Sequence, residues 1–476
     1  MTYFMGTYVT LLHSKKRYVQ SDVHKLVFLR WKFLYVMPFY IMKKYVHPND
    51  HKAYKYIHYD VHMEKAKLEE FNHWWIKEKV DSELALPFKR DNYKEIEKYI
   101  DKKFIVAITG LRRVGKTTTI YQLIKDLIKK TKTENILFFS FDENNVKISE
   151  IIETYKEIHK KDFREEKVYI FFDEIQKLNN WENEIKKYYD LYPKLKFIIS
   201  GSESLFIRKK TKETLAGRIF EFNLSTFTFK EYLKIHNIES KYETKIKPFL
   251  LKYIEKGGFP ETFSFKTDKE FKEYIRSLVV DKIVYKDIPR MFKLDDPEFL
   301  STLLEMIAVN PGMYIDYLSL SKQFNKDRRV IKNYIFYLKE SFLINLLGNY
   351  RKGSTTLRKR KRAYPTDNAI TYLYKSKIEE DFLGRMVETL VISNINAASF
   401  WKNGNEVDVI HNNTPIEIKY REKIKSDNLK SITEFMKKFK VKKGILITKN
   451  EEREVKVEEG KIKYIPLWKW LLGNET

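Results

Sequence analysis

The 476-residue chain contains no cysteine. That single absence excludes a disulfide framework, thiolate zinc sites, iron–sulfur clusters and thiol nucleophiles. Long apolar runs are also missing. The nearest approach, Leu26 to Met42, is interrupted by Arg30 and Lys32 and is too short to span a bilayer as a helix. No signal peptide with a small-residue cleavage site is visible, and no internal repeat. A soluble, cytoplasmic protein with no membrane partner is therefore expected. Acid is scarce relative to base: 65 Asp and Glu stand against 91 Lys and Arg, a formal net charge of +26. Such a surplus favours a polyanionic partner, with nucleic acid ahead of a membrane surface, although Lys/Glu-rich chains also arise where ion-pair networks serve stability. Core-building material is plentiful, at 43% hydrophobic and 15% aromatic residues. A folded chain of about three domains is expected.

Residues 1–62 differ from the rest. They carry six of the ten histidines and ten Lys/Arg against three acids. Irregular histidine spacing is a poor ligand signature, so this segment reads as a basic, His-rich extension. Met63 opens an ordinary helical pattern and is a candidate start. From Phe104 onward, apolar runs alternate with amphipathic helices. Strands are predicted at 104–108, 136–141, 168–172 and 196–200. Between the first two lies a helix with Ile120, Leu123, Ile124, Leu127 and Ile128 on one stripe. That order implies an α/β fold, a parallel sheet with helices on both faces, over 63–224. A helical region follows at 225–295, then a compact helical module at 296–350, a basic linker at 351–363 and a further α/β domain at 364–476.

Gly110-Leu111-Arg112-Arg113-Val114-Gly115-Lys116-Thr117, followed by Thr118, fits G-x-x-x-x-G-K-[ST] and joins a buried strand to a helix. Glycines let backbone N–H groups wrap phosphates, and the helix N-terminus adds its positive dipole end. Lys116 is expected on the β- and γ-phosphates of ATP, and Thr117 on Mg²⁺. Val168 to Phe172 ends in Asp173-Glu174, which suits Asp173 to the metal and Glu174 to polarising the attacking water. Ser200 and Ser202, at the end of the next strand, are candidates to sense the γ-phosphate or simply to end a strand.

These motifs, with Leu215-Ala216-Gly217-Arg218 and Gly257-Gly258-Phe259-Pro260-Glu261, resemble the archaeal-type P-loop ATPases of the AAA+/signal-transduction branch over roughly 85–350. The resemblance implies that the Gly258-Phe259-Pro260 turn approaches adenine and that Arg90-Asp91 helps close the nucleotide pocket. It also implies a role for Arg218, either as a finger onto a neighbouring subunit in a homo-oligomer or as a clamp within the chain. It further implies a winged helix at 296–350. There Ile331, Tyr334, Ile335 and Leu338 form the apolar stripe of a helix, while Arg328, Arg329, Lys332 and Lys339 lie off it, as a helix that reads duplex DNA requires. A lid reporting nucleotide state is the other reading. The run Arg358-Lys359-Arg360-Lys361-Arg362 either contacts phosphates or is solvated.

In the last domain a helix from about 379 to 395 carries Glu388. A hairpin turning at Asn403-Gly404 carries Asp408, and the next strand carries Glu417 and Lys419 on one face. Asp408 and Glu417 are suited to hold a divalent cation, with Lys419 orienting water. The arrangement resembles the PD-(D/E)xK nuclease-like fold, with Val407-Asp408 standing where Pro-Asp is usual. It also resembles the C-terminal domain of uncharacterised function that accompanies such ATPases. Two functions stay open: Mg-dependent ATP hydrolysis acting on DNA, with a nuclease-like domain; or an ATP-binding switch or DNA-binding regulator with an inactive nuclease-like domain.

Overall fold

The predicted apolar runs become β1 (Ile105–Thr109), β2 (Ile136–Ser140), β3 (Val168–Asp173) and β4 (Leu195–Gly201) of a parallel sheet. A computed structural model describes residues 65–142, 146–202, 213–238, 243–350, 361–375, 377–424 and 429–473. These fall within one unit, Met63–Thr476. The expectations placed on residues 1–62 and on Arg358–Arg360 lie outside the described residues. With a fifth strand, β5 (Ile219–Asn223), the order is β2-β3-β4-β1-β5. The edge strand β5 escapes a hydrophobic-run search because only Phe222 of its residues is buried. Elsewhere successive residues face opposite cores, as the period-2 alternation of a strand dictates. Val106, Ile108, Phe138, Phe171 and Ile198 belong to one core. Ile105, Ala107, Phe139, Phe172 and Ile199 belong to the other. Helices cover both faces, which is why these runs are continuously apolar. The predicted amphipathic helix is Lys116–Leu127, with Ile120, Leu123, Ile124 and Leu127 buried.

The region 225–295 is helical. Helices Phe229–Ile235, Glu243–Lys256 and Asp268–Tyr274 are followed by two π-helical stretches, Ile275–Val280 and Ile283–Asp287, which lead into Ile288–Phe292. Wide π turns are uncommon and shift the register of every side chain after them. Here they set the position of Asp287.

Next come helix Pro297–Val309, β6 (Met313–Ile315), helices Tyr317–Phe324 and Arg328–Glu340, β7 (Ile344–Asn349) and β8 (Lys361–Pro365). β8 pairs antiparallel with both β6 and β7. The expected linker at 351–363 is thus corrected at its end: Lys361 and Arg362 begin a strand. A basic residue tolerates that placement because Arg362 is surrounded by carboxylates.

The boundary expected at 364 also needs correction. Helix Asn368–Tyr374 places Ala369, Ile370, Tyr372 and Leu373 in the same core as Ile108. Helix Glu380–Asn394, β9 (Ser399–Asn403), β10 (Asn405–His411), β11 (Thr414–Lys419) and helix Lys430–Phe439 follow as predicted. Beyond them lie three strands where one was expected, β12 (Lys443–Thr448), β13 (Arg453–Val457) and β14 (Gly460–Pro466), and then helix Leu467–Leu471. β13 is a charged edge strand, a composition that guards against edge-to-edge pairing and hides a strand from apolar-run searches. β9 pairs parallel with β7 through Gly348↔Ser399 and Asn349↔Phe400. One nine-stranded sheet, β13-β14-β12-β11-β10-β9-β7-β8-β6, therefore runs through both modules.

Candidate phosphate site and carboxylate centre

The loop between β1 and helix Lys116–Leu127 depends on two glycines. Gly110 has φ +145°, and a Cβ there would lie 2.1 Å from the carbonyl oxygen of Leu224. Gly115, at φ +94°, forms the helix N-cap. Both are conformations that a side chain would strain. Leu111 and Val114 are buried beneath the loop, while Thr117 and Thr118 are half-buried on the first helical turn. Lys116 folds back, its Nζ donating to the carbonyls of Gly110 at 3.1 Å and Leu111 at 3.0 Å, and stands 3.9 Å from Glu174. Burial pushes the ammonium below its ordinary pKa, against the pull of the Glu174 and Asp173 carboxylates.

Thr117 Oγ1 donates to Asp173 Oδ2 at 2.8 Å, and Ser200 Oγ donates to Asp173 Oδ1. Burial and the neighbouring Glu174 raise the Asp173 carboxyl. Glu174 sits at φ +53° just past the strand. Its Oε2 accepts from Gln176 Nε2 at 2.6 Å and Ser202 Oγ at 3.0 Å. Burial alone would raise Glu174, but Lys116, Arg112 and these donors outweigh it and hold the carboxyl low. Lys116, Thr117, Asp173 and Glu174 thus meet in one buried place, with Ser200 and Ser202 each serving one acid. Gln176 was missed by sequence reasoning. Its signal was only its place two residues after the acid pair.

Other candidates lie around this centre. Arg112 pairs through Nε and Nη2 with Asp287, the Nη2–Oδ1 distance being 2.8 Å, and Asp287 is 3% exposed. Arg113, at φ +66°, lies 3.4 Å from Glu261 on the surface. Arg90 is buried, bonded to both Glu231 oxygens and donating to the Val114 carbonyl at 3.0 Å, so it braces the loop. Pro260 opens the short 3₁₀ turn Pro260–Ser264 after the buried Phe259, and the Gly258 N–H donates to Asp367. Arg218 is elsewhere. Its carbonyl accepts from Ile105 N at 2.8 Å, at the start of β1. The loop leaves the other end of that five-residue strand, roughly 16 Å away at about 3.3 Å per residue. Arg218 instead pairs with Asp190 at 3.1 Å. The clamp within the chain is thereby corrected.

The second centre lies in the nine-stranded sheet. A register shift in the β9–β10 pairing between Val407 and Ile410 turns Asp408 toward β11. There its Oδ2 accepts from Ile418 N at 2.9 Å and lies 3.8 Å from Lys419. Glu417 Oε1 binds Lys419 at 2.5 Å and its Oε2 accepts from Ser431 at 3.2 Å. Glu388 reaches in from its helix. Burial, then the Asp408 charge, raises Glu388 to about 7 and Glu417 to about 8. Two members were not anticipated: Glu406, which shares a strand face with Asp408, and Arg362, which binds Glu388 at 3.0 Å, Glu406 at 3.1 Å and Asp408 at 3.7 Å. The period-2 spacing of Glu406 and Asp408 was visible in the sequence. Among the described residues, no group of three or more His, Asp or Glu is already arranged around a metal position.

Residues 102–233 match the family described as AAA domain. Residues 248–380 and 383–470 match two domains of unknown function, DUF8612 and DUF4143. An uncharacterised protein of Methanocaldococcus jannaschii is 28% identical over 414 residues, covering 80% of this chain and 90% of that one. One of Haemophilus influenzae is 25% identical over 292 residues, covering 59% and 72%. Among solved structures, the Thermotoga maritima RuvB Holliday junction branch migration motor is 15% identical, with a TM-score of 0.26 over 61% of this chain and 96% of that one. The Aeropyrum pernix ORC1 protein in complex with DNA is 10% identical, with a TM-score of 0.28 over 64% and 97%. The parallel sheet and its phosphate loop lie largely within the residues that match the AAA domain family. No described helix is long and apolar enough to cross a membrane.

Proposed function

We propose that the chain is a Mg-dependent ATPase that acts on duplex DNA. The observation that carries the reading is the meeting of Lys116, Thr117, Asp173 and Glu174 around a loop whose two glycines adopt backbone conformations that a side chain would strain. Those residues suit MgATP: Thr117 and Asp173 would hold the metal, which neutralises charge on the β- and γ-phosphates. Lys116 exchanges two loop carbonyls for phosphate oxygens, and Glu174, held as a carboxylate, accepts a proton from the attacking water. Arg218, on the surface at the far end of the sheet, suits contact with a second copy in a homo-oligomer.

DNA is supported by the helix Arg328–Glu340. Ile331, Tyr334, Ile335 and Leu338 are buried, while Arg328, Arg329, Lys332 and Lys339 are exposed beside the exposed ring of Phe336. The order helix, β6, helix, helix, β7, β8 supports the winged-helix reading. Burial, then Lys339 and Lys332, lowers the Lys361 ammonium, a sign of crowded positive charge that phosphates would relieve. For the C-terminal domain, the acid surplus of Glu388, Glu406, Asp408 and Glu417 over Arg362 and Lys419 supports a divalent-cation site of the nuclease-like kind, with Asp408 and Glu417 as ligands, Glu388 beside them and Lys419 orienting water. The test is to incubate the protein with Mg²⁺, ATP and labelled duplex, scoring phosphate release and strand cleavage together. Phosphate release stimulated by duplex supports the reading. Tight duplex binding with no ATP turnover sinks it.

A further inference from the structure

The carboxylate centre contains a cation that its own strands do not supply. Arg362 comes from β8, in the β6–β8–β7 layer, and is 9% exposed. Its seat is built. Nε donates to the Gly312 carbonyl at 3.0 Å. The guanidinium lies 5.2 Å from the centroid of Tyr364 and 5.9 Å from that of Phe400. A Cβ on Gly312 would stand 2.7 Å from Nη2, so the glycine keeps the space open. Nη2 donates to Glu388 Oε2 at 3.0 Å. Nη1 lies 3.1 Å from Glu406 and 3.7 Å from Asp408, yet makes no hydrogen bond. It therefore acts as a point charge shared between carboxylates, the part a metal ion plays among hard oxygen ligands. Two tyrosines of the same layer add to the contact: Tyr314 donates to the other Glu406 oxygen at 2.5 Å, and Tyr364 donates at 3.1 Å to the same Glu388 oxygen that Nη2 reaches.

We propose that Arg362 is a built-in competitor for the divalent cation at the Glu388–Asp408–Glu417 centre, so that guanidinium and metal exclude one another and cation binding requires Arg362 to leave. The proposal rests on the cation reading given above. Two physical reasons support it. Asp408 has one oxygen committed to Ile418 N, which leaves to a metal the oxygen that faces Arg362. A divalent ion beside a fixed guanidinium in a buried site would also meet strong repulsion. The layer that carries the basic helix Arg328–Glu340 thus holds the lock of the second centre.

The test uses the full chain without nucleotide, titrated with Mn²⁺ alone by calorimetry. Asp408→Asn defines the heat that belongs to this centre. Wild type should bind weakly, and Arg362→Gln at least about tenfold more tightly, as removal of one close positive charge requires. Should Arg362→Gln fold poorly, amide exchange of 361–365 in wild type carries the test. Millimolar Mn²⁺ should speed that exchange, and should not do so in Asp408→Asn. Equal Asp408-dependent affinity in wild type and Arg362→Gln, with exchange unchanged, overturns the competition and leaves the cation reading standing. No Asp408-dependent binding in either protein defeats the cation reading, and the competition with it.

Discussion

The chain carries two centres in which carboxylates meet lysine and arginine, and they are built with opposite bias. At the end of β3, Asp173 and Glu174 face Lys116, which rests on loop carbonyls 3.9 Å from the nearer acid. Arg112, nearby, is matched by an acid of its own, Asp287. Neutral donors complete the acids: Thr117, Ser200, Ser202 and Gln176. At the second centre four carboxylates share Arg362 and Lys419, and both cations are already in contact with acid. In the first arrangement the lysine donates its hydrogen bonds to neutral backbone carbonyls and not to the acids. The second has more carboxyl groups than cations, and burial with the Asp408 charge raises two of them, Glu388 and Glu417, to about 7 and about 8. Local charge balance, more than residue type, separates a site for phosphate from a site for a cation.

Several substitutions would break that contrast, and the most severe is at Lys116. Lys116→Ala should abolish ATP binding, or weaken it by orders of magnitude, in a fluorescent-nucleotide titration. Lys419→Ala, the formal counterpart, should leave that titration unchanged. Loss of nucleotide binding in both would show that the centres are not independent. Glu174→Gln should keep ATP bound while phosphate release falls by about 10²-fold or more, since only the water-polarising carboxylate is lost. Glu417→Gln in the same assay should have no effect.

A third test reads stability against pH. Glu388 and Glu417 are raised to about 7 and about 8 from an ordinary 4.5. Between those limits the folded chain holds protons that the unfolded chain has released. Stability is therefore greatest below about 4.5 in this respect and is lost as pH climbs through 7 and 8. The melting temperature should fall across that window in wild type and fall less steeply in Glu417→Gln. Identical slopes would mean that these acids are not raised. The smallest effect is expected on DNA affinity. Arg328→Ala with Arg329→Ala should flatten the dependence of log affinity on log salt by about 0.9 for each phosphate no longer neutralised, measured by anisotropy with duplex. A wild-type slope near zero would remove the DNA reading.

How far the sequence disclosed these centres follows from how local each one is. The phosphate loop was legible because every member lies in a short motif or at the end of a strongly apolar strand. Gln176 and the Arg112–Asp287 pair were not, since the latter joins positions 175 apart in sequence through two π-helical stretches that no periodicity rule anticipates. At the second centre Asp408, Glu417 and Lys419 were visible from the strand pattern, and Glu388 from the helix that precedes the hairpin. Arg362 was hidden in a basic run that composition reads as solvated linker. Only the pairing of β8 with β6 and β7 turns it inward. β5 and β13 escaped for a related reason: edge strands bury little and so carry weak apolar patterns.

The junction of β7 with β9 has a mechanical meaning. Among the described residues, only Gly348↔Ser399 and Asn349↔Phe400 are in register there, whereas β12 and β14 are joined over six positions. A sheet resists stretching along its hydrogen-bonded direction in proportion to the bonds in each seam, so a load applied across the nine strands concentrates at this narrow one. The seat of Arg362 on β8 lies on one side of that seam and Asp408 on β10 on the other. Few backbone pairs join the two halves there, so the side-chain ties of Arg362 to Glu388, Glu406 and Asp408 carry a large share of what holds them together.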